Sequence, residues 1–350
     1  MTLSVDGFTD ITPAASRVAA ASHAREWLDF LWLEVTRRCN LGCIHCYADS
    51  SPTVPLHQGV GPEDWGRLID EAAEYGCRKI QFIGGEPTLY PALPRLIRQA
   101  AKARFGFIEI YTNGVRLSHE VKRAVLDCNV AVAFSIYANE PRIHDAVTGR
   151  QGSHARTIAT LKWALASGLR VRVGVIATRP NTHAVAATRD FLAGLGVKSI
   201  AIDRQRGVGR GVQVQSASDP VAELCGRCWQ GRLCVTATGQ AYPCVFSRSY
   251  CLGSVQFGLG PVLRGPALAQ FRAMTRERFS EDADLVDNAS SQCGPLAPDC
   301  LPLGRPCAPD EFHPCLPEGG RPCIPQGGPC TPESPPCGPE GGCGPNAPPI

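Results

Sequence analysis

The sequence predicts an α/β fold: a partial (β/α)6 barrel of the TIM type, then a small cysteine-rich auxiliary domain and a Pro/Gly/Cys-rich tail. Three observations carry this expectation. Between about 28 and 215, short apolar runs alternate with amphipathic stretches of helical period. Several of the runs are β-branched with little alternation, as expected of strands covered on both faces. Beyond residue 292 the composition changes to Pro, Gly and Cys. Strands alternating with helices argue for a parallel sheet with right-handed crossovers. Six such units are too few for a closed eight-unit barrel. The pattern alone leaves an open doubly wound sheet as the alternative.

The first strand, Leu31–Thr36, runs into Cys39-Asn40-Leu41-Gly42-Cys43-Ile44-His45-Cys46. A helical pattern over Glu63–Tyr75 leads to a second strand, Lys79–Ile83, which opens onto Gly84-Gly85-Glu86-Pro87. Helix Pro94–Ala103 precedes strand Phe107–Tyr111 and the turn Thr112-Asn113-Gly114. Helix Glu120–Leu126 precedes strand Val130–Ser135, and helix Thr157–Ala166 precedes strand Arg170–Ile176. Helix Ala184–Leu195 precedes strand Lys198–Asp203, followed by Arg204, Arg206 and Arg210. The chemistry-bearing residues fall at C-terminal strand ends, where either topology places its site. The chain divides into an N-terminal segment (1–27), the barrel core (28–215), the auxiliary domain (216–292) and the tail (293–350).

A net charge of +3 gives no argument for nucleic acid or an anionic membrane as partner. No apolar run approaches the roughly 20 residues that span a bilayer. Met1–Ala20 does not read as a signal peptide. A cytoplasmic protein is expected. In that setting, 18 cysteines favour metal or cluster ligation over disulfides. Isolated Cys77 and Cys128 read as small buried hydrophobes.

Cys39, Cys43 and Cys46 have C-x3-C-x2-C spacing. Three thiolates can hold three irons of a four-iron cluster and leave the fourth open. Taken alone, the spacing also fits a zinc site or chance. Joined to Gly84-Gly85-Glu86-Pro87 after the second strand, it resembles the radical S-adenosylmethionine (SAM) enzymes, over roughly residues 28–215. The resemblance implies a [4Fe-4S] cluster on the three cysteines, with SAM chelated at the open iron. One electron, from a donor of flavodoxin or ferredoxin type, would cleave SAM to a 5′-deoxyadenosyl radical that abstracts hydrogen. Gly84 and Gly85 would let the backbone approach the methionine moiety, Pro87 would stiffen the turn, and Glu86 would help hold the SAM ammonium. His45 matches a position near the adenine, or is a packing histidine. Ser135 matches a ribose-contacting position, or is a strand-end serine. Asn113 reads as structural. Arg204, Arg206 and Arg210 bind an anionic group or form a solvated loop. Gly207-Val208-Gly209-Arg210-Gly211 lacks nucleotide-loop spacing.

Cys225, Cys228, Cys234 and Cys244 form a further set, and Cys228 to Cys244 reads C-x10-G-x4-C. This is similar to the start of the SPASM or twitch extension, with variant spacing, and implies at least one auxiliary [4Fe-4S] cluster on these four cysteines. A four-cysteine zinc site is the alternative. In the tail, eight cysteines from Cys293 to Cys343 are each followed two residues later by Pro. Completion of a cluster by Cys293, Cys300 and Cys307, soft-metal binding, partner docking and plain disorder all remain open for it.

The resemblance implies radical modification of a peptide, as in maturation of a ribosomally made product. A small-molecule substrate of sugar or nucleoside type is the alternative. A third reading is a metal-binding protein whose tail is the functional part. The short segment before the barrel leaves no room for a leader-binding domain there, so a separate peptide-recognition protein, or the tail, is expected to recognise the peptide.

Overall fold

The computed structural model describes residues 28–213 and 219–280; the N-terminal segment and the C-x-P tail, with Cys293, Cys300 and Cys307, lie outside them. Nine strands form one sheet: β1 (Phe30–Glu34), β2 (Lys79–Ile83), β3 (Phe107–Thr112), β4 (Ala131–Ser135), β5 (Val171–Ala177), β6 (Ser199–Arg204), β7 (Arg232–Val235), β8 (Gln240–Tyr242) and β9 (Gly253–Ser254). Their order is β6-β5-β4-β3-β2-β1-β7-β8-β9. The first six are parallel neighbours in sequence order. The expected strands are in place to within a residue or two, in the arrangement of a partial barrel.

The strands are crossed by α1 (Pro62–Glu74), α2 (Leu93–Lys102), α3 (His119–Asp127), α4 (Pro141–Thr148), α5 (Ser153–Ala166) and α6 (Val185–Gly194). Helix starts follow local chemistry. Pro62 occupies the first turn of α1, and Asp64 accepts the Gly61 N–H at 3.3 Å. Ser118 caps α3 by accepting from Val121 N at 3.2 Å. Among the described residues no helix is long and apolar enough to cross a membrane.

The strands alternate more strictly than their composition suggests. Leu31, Leu33, Ile80, Phe82, Ile108, Ile110, Val132, Phe134, Val173 and Val175 share one core under the helices. Burial of each such side chain contributes about 1.5–3 kcal/mol. The intervening residues face the other side and are polar, aromatic or small: Trp32, Glu34, Gln81, Glu109, Tyr111, Ala133, Arg172 and Gly174. They are buried or half-buried. Glu109 is fully buried, takes Arg172 Nε and Nη2 at 2.9 and 2.8 Å, and also accepts from Gln81. The charge on this face is therefore paired, as burial requires.

The cysteine-rich segment continues the sheet. β7 pairs parallel to β1 on the edge away from β2, and β8 and β9 follow antiparallel. Leu233, Val235, Ala241 and Val255 enter the same core as β1. The short helix α7 (Gly260–Arg264) and α8 (Pro266–Ser280) follow β9.

Candidate functional site

The cysteine loop leaves the C-terminal end of β1 and is tied down from several sides. Gly42 N and Ile44 N donate to Thr148 O and Val147 O at the end of α4, at 3.0 and 3.1 Å. Arg150 Nη1 donates to Asn40 O at 2.9 Å. The strongest tie comes from Arg210, beyond β6. It donates to Cys43 O at 2.9 Å and Ser50 O at 2.8 Å, and pairs with Asp49 at 2.9 Å, while its own N–H reaches Cys46 O at 3.0 Å. Gly209 has φ +60°, and a side chain there would strike the carbonyls of Cys46 and Tyr47. The glycine-rich Gly207–Gly211 loop is thus a strap over the cysteine loop. Arg204 and Arg206 are likewise engaged within the protein. Arg206 bonds Glu223 O and Asp203, each at 2.7 Å, and Arg204 reaches Ala222 O at 3.1 Å. Carbonyls and carboxylates of the protein itself hold these three arginines, Arg206 buried and Arg204 partly exposed, and those partners could not be read from spacing.

Gly84-Gly85-Glu86-Pro87 packs directly on the base of that loop. Gly85 N donates to Thr36 O at 2.6 Å and Glu86 N to Arg38 O at 2.9 Å. Gly84 has φ +150°, and a Cβ there would strike Thr36 O. A Cβ at Gly85 would meet Arg37 O at 2.6 Å. The contact that requires both glycines is therefore with the β1 exit. Glu86 is fully buried and accepts from Thr88 N (3.0 Å), Thr88 Oγ1 (2.6 Å), Thr112 Oγ1 (2.7 Å) and Asn113 N (2.8 Å). Burial raises its carboxyl pKa against these bonds, which favour the ionised form. This one carboxylate joins the loops after β2 and β3. Pro87 begins the short 3-10 turn Pro87–Leu89 that places Thr88 over it.

Two of the triad sulfurs accept hydrogen bonds. Leu41 N and Asn113 Nδ2 donate to Cys39 Sγ, at 3.4 and 3.6 Å. Ser50 N donates to Cys46 Sγ at 3.4 Å. Burial pushes the Cys43 thiol up to about 12, against the nearby Tyr137 hydroxyl and the charge of Arg210. Ser135 ends β4, near Tyr111 and Tyr137. His45 rests edge-on against Tyr137, ring centroids 4.8 Å apart. Burial, then the charge of Arg210, lowers its pKa to about 4, so the ring is neutral at pH 7. Its Nδ1 is shielded from solvent and has no hydrogen-bond partner among the described residues.

In the second set, Cys225, Cys228 and Cys244 come together. The Cys228 and Cys244 sulfurs lie 3.3 Å apart, and Cys225 packs against them. Cys234 sits on β7 between two residues of the helix-facing core, so it shares the opposite face with Trp32, which packs against the buried group that includes Cys228 and Cys244. Burial, then the charge of Glu34, pushes its thiol pKa up. Arg248 pairs with buried Glu34 and lies over the rings of Tyr47 and Tyr242, at 5.7 and 5.1 Å. Cys77 lies in the helix-facing core and Cys128 against it.

Residues 33–192 match the family model of the radical SAM superfamily. The chain carries a radical SAM domain. Among curated relatives it is 33% identical over 155 residues to the PqqA peptide cyclase of Rhodopseudomonas palustris, covering 43% of this chain and 40% of that protein. It is 24% identical over 282 residues to the subtilosin biosynthesis protein AlbA of Bacillus subtilis (71% and 62%). It is 32% identical over 194 residues to the mycofactocin maturase MftC of Mycobacterium ulcerans (54% and 50%). The chain spans about half the length of these relatives. The fold matches that of Streptococcus suis SuiB bound to its precursor peptide SuiA, with TM-score 0.62 at 14% identity over 77% of this chain and 74% of SuiB. It also matches anSMEcpe with bound AdoMet, with TM-score 0.55 at 15% identity over 70% and 82%. At these identities the two structures speak for the fold alone.

The triad of the radical SAM domain suits a cluster chemically. Sulfurs that collect N–H donors, as those of Cys39 and Cys46 do, are set up as thiolate acceptors, and iron coordination removes the thiol protons that burial would retain. Among the described residues no three His, Cys, Asp or Glu side chains close on a single ion.

Proposed function

We propose that this chain is a radical SAM enzyme that modifies a peptide in the maturation of a ribosomally made product. The observation that carries the reading is the set of three cysteines on the loop after β1, with the Gly-Gly-Glu-Pro turn seated on that loop. When bound there, a four-iron cluster and SAM supply a 5′-deoxyadenosyl radical by one-electron cleavage, fed by a flavodoxin- or ferredoxin-type donor.

The chain's own residues bind, orient and shield. Cys39, Cys43 and Cys46 would hold three irons. Gly84, Gly85, Glu86 and Pro87 would bind SAM at the remaining iron, the backbone of the turn and Glu86 holding its ammonium. His45, neutral at pH 7, would contact the adenine, and Ser135 the ribose. Arg210 and the end of α4 keep the cysteine loop rigid, so that the reacting atoms hold one geometry. Cys225, Cys228, Cys234 and Cys244 would hold the auxiliary cluster. A separate peptide-recognition protein would present the peptide.

The peptide substrate is supported by the relatives, which include a peptide cyclase, a bacteriocin biosynthesis protein and a maturase. The test is co-expression with a short precursor peptide encoded beside the gene, followed by intact-mass measurement. The expected result is a change in peptide mass that disappears with Cys43→Ala. An unchanged peptide, in protein that still cleaves SAM, contradicts the peptide reading and returns the small-molecule one.

A further inference from the structure

We infer that Asn113 is a positioning residue for the first metal centre: its side-chain amide is a fixed donor to the Cys39 sulfur and helps set the centre's reduction potential. This rests on the triad holding a cluster, as proposed above.

Thr112-Asn113-Gly114 reads in sequence as a turn, and the turn is there. Asn113 Oδ1 accepts from Val115 N at 3.0 Å, and Gly114 takes φ +71°. An aspartate would make the same turn, because the turn uses only the side-chain oxygen. What only asparagine supplies is Nδ2, and both its contacts lie in the cysteine loop: Asn40 Oδ1 at 2.7 Å and Cys39 Sγ at 3.6 Å. The Val115 bond fixes which end of the amide is oxygen, so the nitrogen is the end beside the sulfur.

The rest of the residue is equally held. Asn113 N donates to Glu86 Oε2 at 2.8 Å, and Asn113 O accepts from Thr157 Oγ1 at 2.7 Å. Each polar group of Asn113 thus has a partner, and the amide cannot rotate without breaking bonds. A donor held beside a ligating sulfur draws electron density from it. That favours the more negative, reduced centre and raises its potential. The potential governs how readily an electron reaches the centre, so the effect falls on the step that initiates chemistry.

The test is redox titration of the iron-loaded full chain, followed by the EPR signal of the reduced first centre, for wild type, Asn113→Ser and Asn113→Asp. Both variants keep an oxygen for the turn and the backbone bond to Glu86. The expected result is a lower midpoint potential in both. The reduced-to-oxidised ratio at fixed poise should fall about tenfold in Asn113→Asp, about 59 mV for one electron, and by less in Asn113→Ser, which adds no charge. An unmoved potential in Asn113→Ser overturns the inference. Wild-type protein gives a second readout that does not depend on a variant folding. Protein labelled with 15N at asparagine should show nitrogen hyperfine coupling at the reduced centre by pulsed EPR, and absence of coupling overturns the inference. Failure of the wild-type triad to bind iron is a different result, and defeats the underlying reading itself.

Discussion

Cys234 shows how much one residue's place in a pleat decides. Spacing puts it six residues after Cys228, within easy reach of a shared cluster. Leu233 and Val235 on either side belong to the helix-facing core, so the Cys234 thiol faces the other side of the sheet with Trp32, which packs against the buried group that includes Cys228 and Cys244. We predict that Cys234→Ala and Cys244→Ala each lose roughly four irons per chain from the reconstituted protein. A full iron complement in Cys234→Ala would show that Cys234 is not a ligand. Less is legible at Arg210 and Asn113. Their types are visible in the sequence, but the carbonyls and the sulfur they reach lie on a loop more than sixty residues away. The triad was legible because its three cysteines lie within eight residues of one another.

At the scale of elements, β1, β2 and β3 were predicted nearly to the residue, because apolar runs bounded by turn residues mark strands. What the runs do not reveal is how the loops after them interlock. Glu86 accepts from the β3 loop, the backbone of its turn donates to the β1 loop, and the Gly-Gly pair makes that approach sterically possible. The glycines therefore work on the protein itself before any ligand is considered. Gly84→Ala should be strongly destabilising, since it combines a positive φ with a clash against Thr36 O. A cost of roughly 2 kcal/mol or more is expected, seen as a drop of about 5 °C or more in the thermal melt of iron-loaded protein. A melt unchanged from wild type would mean that the turn does not pack on the β1 exit.

At the scale of the whole molecule, one sheet carries both cysteine sets. The triad lies beyond the end of β1, and the second set flanks the β7–β8 hairpin on the neighbouring edge. Tyr47, next to Cys46, packs edge-on against Phe246, two residues after Cys244, with ring centroids 5.6 Å apart. Composition announced a cysteine-rich segment but not its attachment to the barrel edge, because strands of two to four residues carry almost no periodic signal. The account's central claim is that the triad holds a SAM-cleaving cluster, and product analysis tests it most directly. Iron-loaded full chain, reduced without oxygen and given SAM, should form 5′-deoxyadenosine and methionine, and Cys43→Ala should form neither. An intact, reducible cluster that leaves SAM uncleaved, or a Cys43→Ala protein that still cleaves it, would contradict the account.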